Sequence, residues 1–493
     1  MLIRHDHTTA GTHELTGWFP HDLLIGGLTQ ESSTGERFDV LNPATGEVIA
    51  SVASASVADG LAAVRAAEGA LPLWSAKSPR ERADILRRTF ELMRDRAEDL
   101  ARLIVLENGK SLADARGEIA YASEFFRWYS EEAVRVIGSV QHAPNGQNRI
   151  LVTHQPIGVC VLVTPWNFPA AMATRKIGPA LAAGCSVILK PASDTPLTAL
   201  AICQLLRDAG VPDGVVNVIP SRRSGTVVSA MLDDPAVRKL SFTGSTEVGR
   251  ILLANASMTV VNCSMELGGN APFLVFGDAD LDSAIDGAMI AKMRNGGEAC
   301  TAANRFYVHS SIATEFSKRL AARMGALRMG DGLEADVELG PLINDDARVK
   351  VDALVSAARD AGATAMTGGV PDGGVGYYYP PTVLVDVAPD SPILREEIFG
   401  PVAPIVTFET DDEAVTMANR TEFGLVAYVY TSDLARGLAV SERLETGMVG
   451  LNRGLVSDPA APFGGFKQSG LGREGGHEGM LEFTESQYIA VAW

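Results

Sequence analysis

Between about residue 155 and residue 275, short apolar runs alternate with longer stretches of helical period. Gly158-Val-Cys-Val-Leu-Val163 stops at Thr164-Pro165, Cys185-Ser-Val-Ile-Leu-Lys190 stops at Pro191, and Lys239-Leu-Ser-Phe-Thr243 stops at Gly244. Runs this short, without polar alternation and closed by Pro or Gly, read as strands buried on both faces. Strands alternating with helical stretches predict βαβ units and a mostly parallel sheet. Ahead of them, residues 54–140 read as largely helical. Ser78-Pro-Arg-Glu-Arg-Ala-Asp-Ile-Leu-Arg-Arg supplies an N-cap, a first-turn proline and a three-to-four apolar period. A second α/β segment is expected over roughly 276–470, with Gly369–Gly376 as a loop between strands.

Composition narrows this picture. At 493 residues the chain is too long for one core, so two or more domains are expected. No apolar run approaches the ~20 residues of a membrane helix. The start, Met1-Leu-Ile-Arg-His-Asp-His-Thr-Thr, has no apolar leader segment. A net charge of −18 argues against nucleic acid and anionic membranes as partners. The same charge requires that any anionic substrate be drawn in by local positive groups. Five cysteines without metal-ligand spacing point to a reducing, cytoplasmic compartment, and the scattered histidines predict no metal site. Cys160, Cys185 and Cys203 lie in apolar or strand-like runs and read as core, as does Cys263.

Candidate chemistry sits at the ends of these runs. Glu266-Leu-Gly-Gly-Asn270 places a carboxylate beside a glycine turn. Arg294-Asn-Gly-Gly-Glu-Ala-Cys300-Thr places a thiol in a small, polar, glycine-rich segment. Thr164-Pro-Trp-Asn-Phe-Pro169 presents the amide of Asn167 in a stiff loop, as a donor to a developing oxyanion requires. In Lys239-Leu-Ser-Phe-Thr-Gly244-Ser-Thr-Glu-Val-Gly249 a strand gives way to a helix whose first N–H groups, with Ser245, form an anion cradle. A thiolate nucleophile, an amide donor and a carboxylate base suffice to oxidise an aldehyde through a thioester.

These motifs, with Lys190-Pro-Ala, Glu397-Ile-Phe-Gly-Pro-Val402 and Pro462-Phe-Gly-Gly-Phe-Lys467, resemble those of the aldehyde dehydrogenase superfamily, in family order from Asn42 to Phe483. The resemblance implies an α/β fold with a Rossmann-like cofactor domain over 1–140 and 158–265. It implies a catalytic domain over 266–470, and an oligomerisation arm from 141–157 and 471–493 that makes a homodimer or homotetramer. It assigns Cys300 as nucleophile, Asn167 as oxyanion donor and Glu266 as the base that releases the acid. Trp166, Lys190, Ser193, Gly244, Ser245, Leu267, Glu397 and Phe399 are the expected cofactor contacts, and Lys176 and Glu474 are expected to move protons. Relatives usually carry Gln where this chain has Glu298, a carboxylate that would hinder the thiol if it faced it and is expected instead to point away into a structural hydrogen bond. Relatives that pass the thioester to coenzyme A generally lack the hydrolytic Glu, so Glu266 argues against that chemistry.

For the substrate, Arg175 and Arg294 flank the reacting centre on separate segments, and Arg suits bidentate recognition of a carboxylate. The pair resembles that of succinate-semialdehyde dehydrogenases, which implies Ser457 as a third carboxylate contact, with Phe168 and Phe463 as apolar walls. Arg453, just upstream of Ser457, is an unusual basic residue that bears on chain length, with glutarate semialdehyde as the alternative. For the cofactor, Ser193 replaces the acid found in many NAD-preferring relatives, and Lys190 with Arg222 and Arg223 favours NADP over NAD. Asp194, one position on, keeps NAD open.

Overall fold

The computed structural model describes residues 15–371 and 373–492; the leaderless start read above, Met1 to Thr9, lies outside the described residues. The three apolar runs are strands: Val159–Val163, Ser186–Lys190 and Val237–Thr243, of which the first two are buried at every position. With Val216–Val218 and Asn262–Glu266 they form the parallel core of an eight-stranded sheet. The hairpin Leu23–Ile25/Leu28–Gln30 closes one edge, and Gly470–Leu471 pairs antiparallel to Asn262–Glu266 at the other. The helices Val57–Ser75, Pro79–Asp95, Ala97–Asn108 and Leu112–Glu132 fill the predicted helical stretch. Ser78 and Glu81 make the capping box expected at the start of the second.

A second sheet of seven strands carries Ala271–Val275, Ala303–His309 and Val402–Phe408 side by side and parallel. The fold therefore joins a Rossmann-like domain to an α/β catalytic domain. A separate antiparallel sheet pairs Thr484–Val491 and Ser139–His142 with the two sides of Arg149–Pro156. None of the described helices is long and apolar enough to cross a membrane.

Register explains where chemistry collects. In the first sheet Val163 stands beside Lys190 and Phe242, and Thr243 beside Glu266, so the carboxyl ends of the parallel strands line up. Ligands of open α/β sheets bind at that edge. In the second sheet Ala271 stands beside Ala303, so the segments holding Cys300 and Glu397 precede the amino ends of their strands. The two edges face one cavity.

Candidate active site

That cavity, of about 250 Å³, is lined by Trp166, Asn167, Gly244, Ser245, Glu266, Leu267, Cys300, Glu397 and Phe399, all expected from the sequence, together with Met172, Thr243 and Lys350. Each arrives by a local structural cause. Asn167 precedes the helix Pro169–Ala183, whose first N–H groups at Ala170 and Ala171 are capped by the buried Glu118 carboxylate at 2.8 and 3.2 Å. Lys110, buried and paired to Glu118 at 2.6 Å, donates to the Asn167 carbonyl at 2.8 Å and so fixes the loop. The Asn167 side chain spends one N–H on the Glu298 carbonyl at 3.0 Å, leaving its second N–H for a ligand.

Cys300 follows a turn in which Asn295, Gly296 and Gly297 all have positive φ. A Cβ on Gly297 would run into the Gly400 carbonyl, so the thiol-bearing segment packs directly on the loop after Glu397. Burial pushes the Cys300 thiol up to about 12, while Arg175 pulls it down. Glu266 ends its strand with Oε2 buried and without a hydrogen-bond partner. Burial, then the nearby Glu474, holds its carboxyl well above the ordinary range. A buried carboxyl with an unspent oxygen beside a thiol is equipped to take up a proton.

Glu298 points away from the thiol. Its Oε1 accepts the Ile343 N–H at 3.1 Å, and burial raises its carboxyl to about 8, so it sits as a neutral acid. The hindrance raised by this departure from the usual Gln therefore does not arise.

Lys176 donates to Ser241 at 2.9 Å and to Glu474, which also forms an ion pair with Arg175. Main-chain hydrogen bonds tie Glu474 to Phe463 at 2.6 and 2.8 Å, and the Arg175 guanidinium lies 4.3 Å from the Phe463 ring centroid. Arg175 is thus buried with its charge already answered. Arg294 is half-buried, stacks 4.7 Å from the Phe168 ring centroid and forms no close ion pair among the described residues, though its charge helps lower the Asp114 carboxyl, which burial raises. Ser457 and Phe463 line a second cavity of about 440 Å³ together with Arg453.

Of the cofactor candidates, Trp166, Gly244, Ser245, Leu267, Glu397 and Phe399 line the cavity, and Lys190 and Ser193 do not. Ser245 caps the helix Thr246–Ser257 by accepting the Val248 N–H, and it opens onto the cavity with Gly244. Glu397 accepts the Gly269 N–H at 3.0 Å, and burial raises it to about 6. Phe399, at φ 57°, meets Trp166 edge-on at 5.4 Å. Lys190 ends its strand buried, lowered to about 8 by burial with Asp194 pulling back, and has no carboxylate in ion-pair distance among the described residues. Ser193 is half-buried beyond it. Of the two outer arginines, Arg223 pairs with Glu36 at 3.2 Å and Arg222 lies 5.3 Å from the Phe38 ring centroid. A helix N-terminus at Ser245 and the carboxyl of Glu397 in one cavity are donors and acceptors that could hold a dinucleotide's phosphate and ribose, while Lys190 does not line that cavity.

Two buried groups escaped the sequence reading. Among the described residues the Tyr121 hydroxyl has no well-formed hydrogen bond, though the Arg175 charge lies close enough to act on it, and Arg294 lies 6.0 Å from its ring centroid. The Lys292 amine is buried without a partner and is lowered to about 7 by burial, with Glu397 pulling it back up. Helical periodicity marks both only as inward-facing.

The fold and this cavity define an aldehyde dehydrogenase, and the comparisons agree: the aldehyde dehydrogenase family model matches residues 29–489, and the chain belongs to that family. It is 56% identical to a succinate-semialdehyde dehydrogenase of Paenarthrobacter nicotinovorans, over 90% of this chain and 99% of the relative. It is 48% identical to a glutarate-semialdehyde dehydrogenase of Pseudomonas aeruginosa, over 96% and 98%. A crystal structure of an NADP-dependent enzyme of Escherichia coli superposes with a TM-score of 0.95 at 47% identity, covering 96% of this chain and 98% of that one.

Proposed function

We propose that this enzyme oxidises succinate semialdehyde to succinate with NADP, through a thioester on Cys300. The observation that carries the reading is the meeting of Asn167, Glu266 and Cys300 in one cavity that also holds most of the dinucleotide candidates. The Cys300 thiol gives its proton to solvent water as its sulfur adds to the aldehyde carbon, and the oxyanion takes the free Asn167 N–H and the Cys300 backbone N–H. One such donor is worth ~2.7–4 kcal/mol. Bound NADP supplies the acceptor for the hydride that leaves the former aldehyde carbon. Glu266 takes a proton from the water that attacks the thioester, and the acid departs as the thiol is restored. Lys176 and Glu474 offer the exit route for that proton, because both are buried and joined to Ser241 beside the Glu266 strand.

Arg294 is the cation for the substrate carboxylate, with Ser457 as a second contact and Phe168 and Phe463 as walls. Arg175, whose charge is matched by Glu474, holds the Phe463 wall and lowers the thiol. Glutarate semialdehyde, one methylene longer, is the second reading, favoured by the similarity to the Pseudomonas aeruginosa relative. Lys190 without a carboxylate partner supports NADP, and NAD remains the weaker cofactor in this account. Exposed Val140 and Tyr488 on the three-stranded sheet support a homodimer or homotetramer, and five free thiols suit the cytoplasm. Initial rates of NADPH and NADH formation with succinate semialdehyde, glutarate semialdehyde and butanal test the reading. The four-carbon acid aldehyde with NADP should give the highest kcat/KM, and equal values for butanal would overturn it.

A further inference from the structure

Arg453 takes no part in the chemistry proposed for Cys300. It is exposed, follows the strand Met448–Leu451, and forms no ion pair among the described residues. Its Nε donates to the Leu455 carbonyl at 2.7 Å, which fixes the plane of the guanidinium and leaves both terminal nitrogens free. The cavity of about 440 Å³ beside it is lined by Leu455, Ser457, Pro462 and Phe463. Phe463 is the ring stacked by Arg175 and bonded through its main chain to Glu474, so one wall of this cavity belongs to the catalytic centre. The one carboxylate on the lining, Asp458, turns inward on its own loop and accepts the Ala460 N–H at 2.9 Å.

We propose that Arg453 is an outer recognition site for the carboxylate of the incoming aldehyde, a specificity residue at the rim of the cavity that Ser457 and Phe463 line. The inference rests on the acidic-aldehyde reading given under the proposed function. A chain of net charge −18 repels a monoanionic substrate at long range. A fixed, unpaired guanidinium at the rim offsets that repulsion locally and offers a bidentate contact beside Ser457. An exposed pair of this kind is weak and screened by salt, which gives the proposal its signature.

The test measures the ratio of kcat/KM for succinate semialdehyde to kcat/KM for butanal in wild type, Arg453→Gln and Arg453→Lys. Ionic strengths of about 0.01 M and 1 M set the Debye length to ~30 and ~3 Å. At low salt the Gln variant should lower the ratio by roughly two- to five-fold, the span of exposed ion pairs. The Lys variant should restore most of it, and the difference should vanish at high salt. A ratio unchanged by Arg453→Gln, or changed equally at both salts, overturns the proposal. If wild type itself shows no preference for the acidic aldehyde, the substrate reading fails and the inference falls with it. If the preference stands and only the variant effect is missing, the role of Arg453 alone is refuted.

Discussion

Arg294→Gln isolates the charge assigned to the substrate carboxylate. The side chain is half-buried, lies 4.7 Å from the Phe168 ring centroid and forms no close ion pair among the described residues, although its charge helps lower the Asp114 carboxyl, which burial raises. Removing one side of a buried, hydrogen-bonded charge pair costs ~2–5 kcal/mol, while exposed pairs are worth ~0–1 kcal/mol. A half-buried guanidinium belongs near the lower end of the first range, at ~2 kcal/mol, which is about 30-fold in kcat/KM. Glutamine keeps most of the volume against Phe168, so butanal should stay within about three-fold of wild type. Arg175→Gln should behave differently. It strips Glu474 of a partner and Cys300 of the positive charge that lowers its thiol, so both aldehydes should lose rate together. Steady-state NADPH formation with each aldehyde, at saturating cofactor, reads both variants. Equal losses on both substrates for Arg294→Gln, or a selective loss at Arg175 with Arg294 silent, would refute the division of labour between the two arginines.

Three further outcomes follow from the site. Cys300→Ser should abolish oxidation while leaving cofactor binding, followed by fluorescence titration, intact; a tenth of the rate surviving would remove the thiol from the mechanism. Steady-state turnover should climb with pH along a limb well above the ordinary carboxyl value of 4.5, because Glu266 is raised and must ionise to accept a proton; a flat profile above about pH 5 would place the proton elsewhere. Glu298→Gln should be stabilising in alkali. The folded carboxyl, at about 8, lies above its ordinary 4.5, so its neutral form favours the fold; that stability is complete below 4.5 and lost as pH rises through 8. Each pH unit is worth at most ~1.4 kcal/mol. The Tm gain of the variant should therefore grow between about pH 4.5 and pH 8 and level off above it, and a pH-independent difference would contradict a neutral buried acid.

Much of the site was legible because its residues sit at strand ends. A short apolar run closed by Pro or Gly marks both the strand and the place where a side chain leaves the sheet, which makes Asn167, Lys190 and Ser245 legible, while Glu266 stands out by its own glycine turn. The register that aligns Val163, Lys190 and Phe242 then does the gathering. What depends on contacts between distant segments was not legible. Nothing in Thr174-Arg-Lys176 says that Glu474, far along the chain, will pair with both cations, or that the Arg175 charge is thereby matched. Tyr121 and Lys292 lie on helices where period reports only burial, and what a buried hydroxyl or amine meets is a property of the neighbours. For Glu298 the turn away from the thiol was expected, but its partner, the Ile343 N–H, is announced by no local pattern.

The central claim is a thioester on Cys300 that Glu266 resolves, and mass spectrometry of Glu266→Gln tests it most directly. Mixed with succinate semialdehyde and NADP, the variant should release one burst of NADPH per active site and then slow. Its Cys300 peptide should carry one succinyl group held as a thioester, removable by hydroxylamine. A burst without an adduct, an adduct on another residue, or undiminished turnover with unmodified Cys300 would contradict the account.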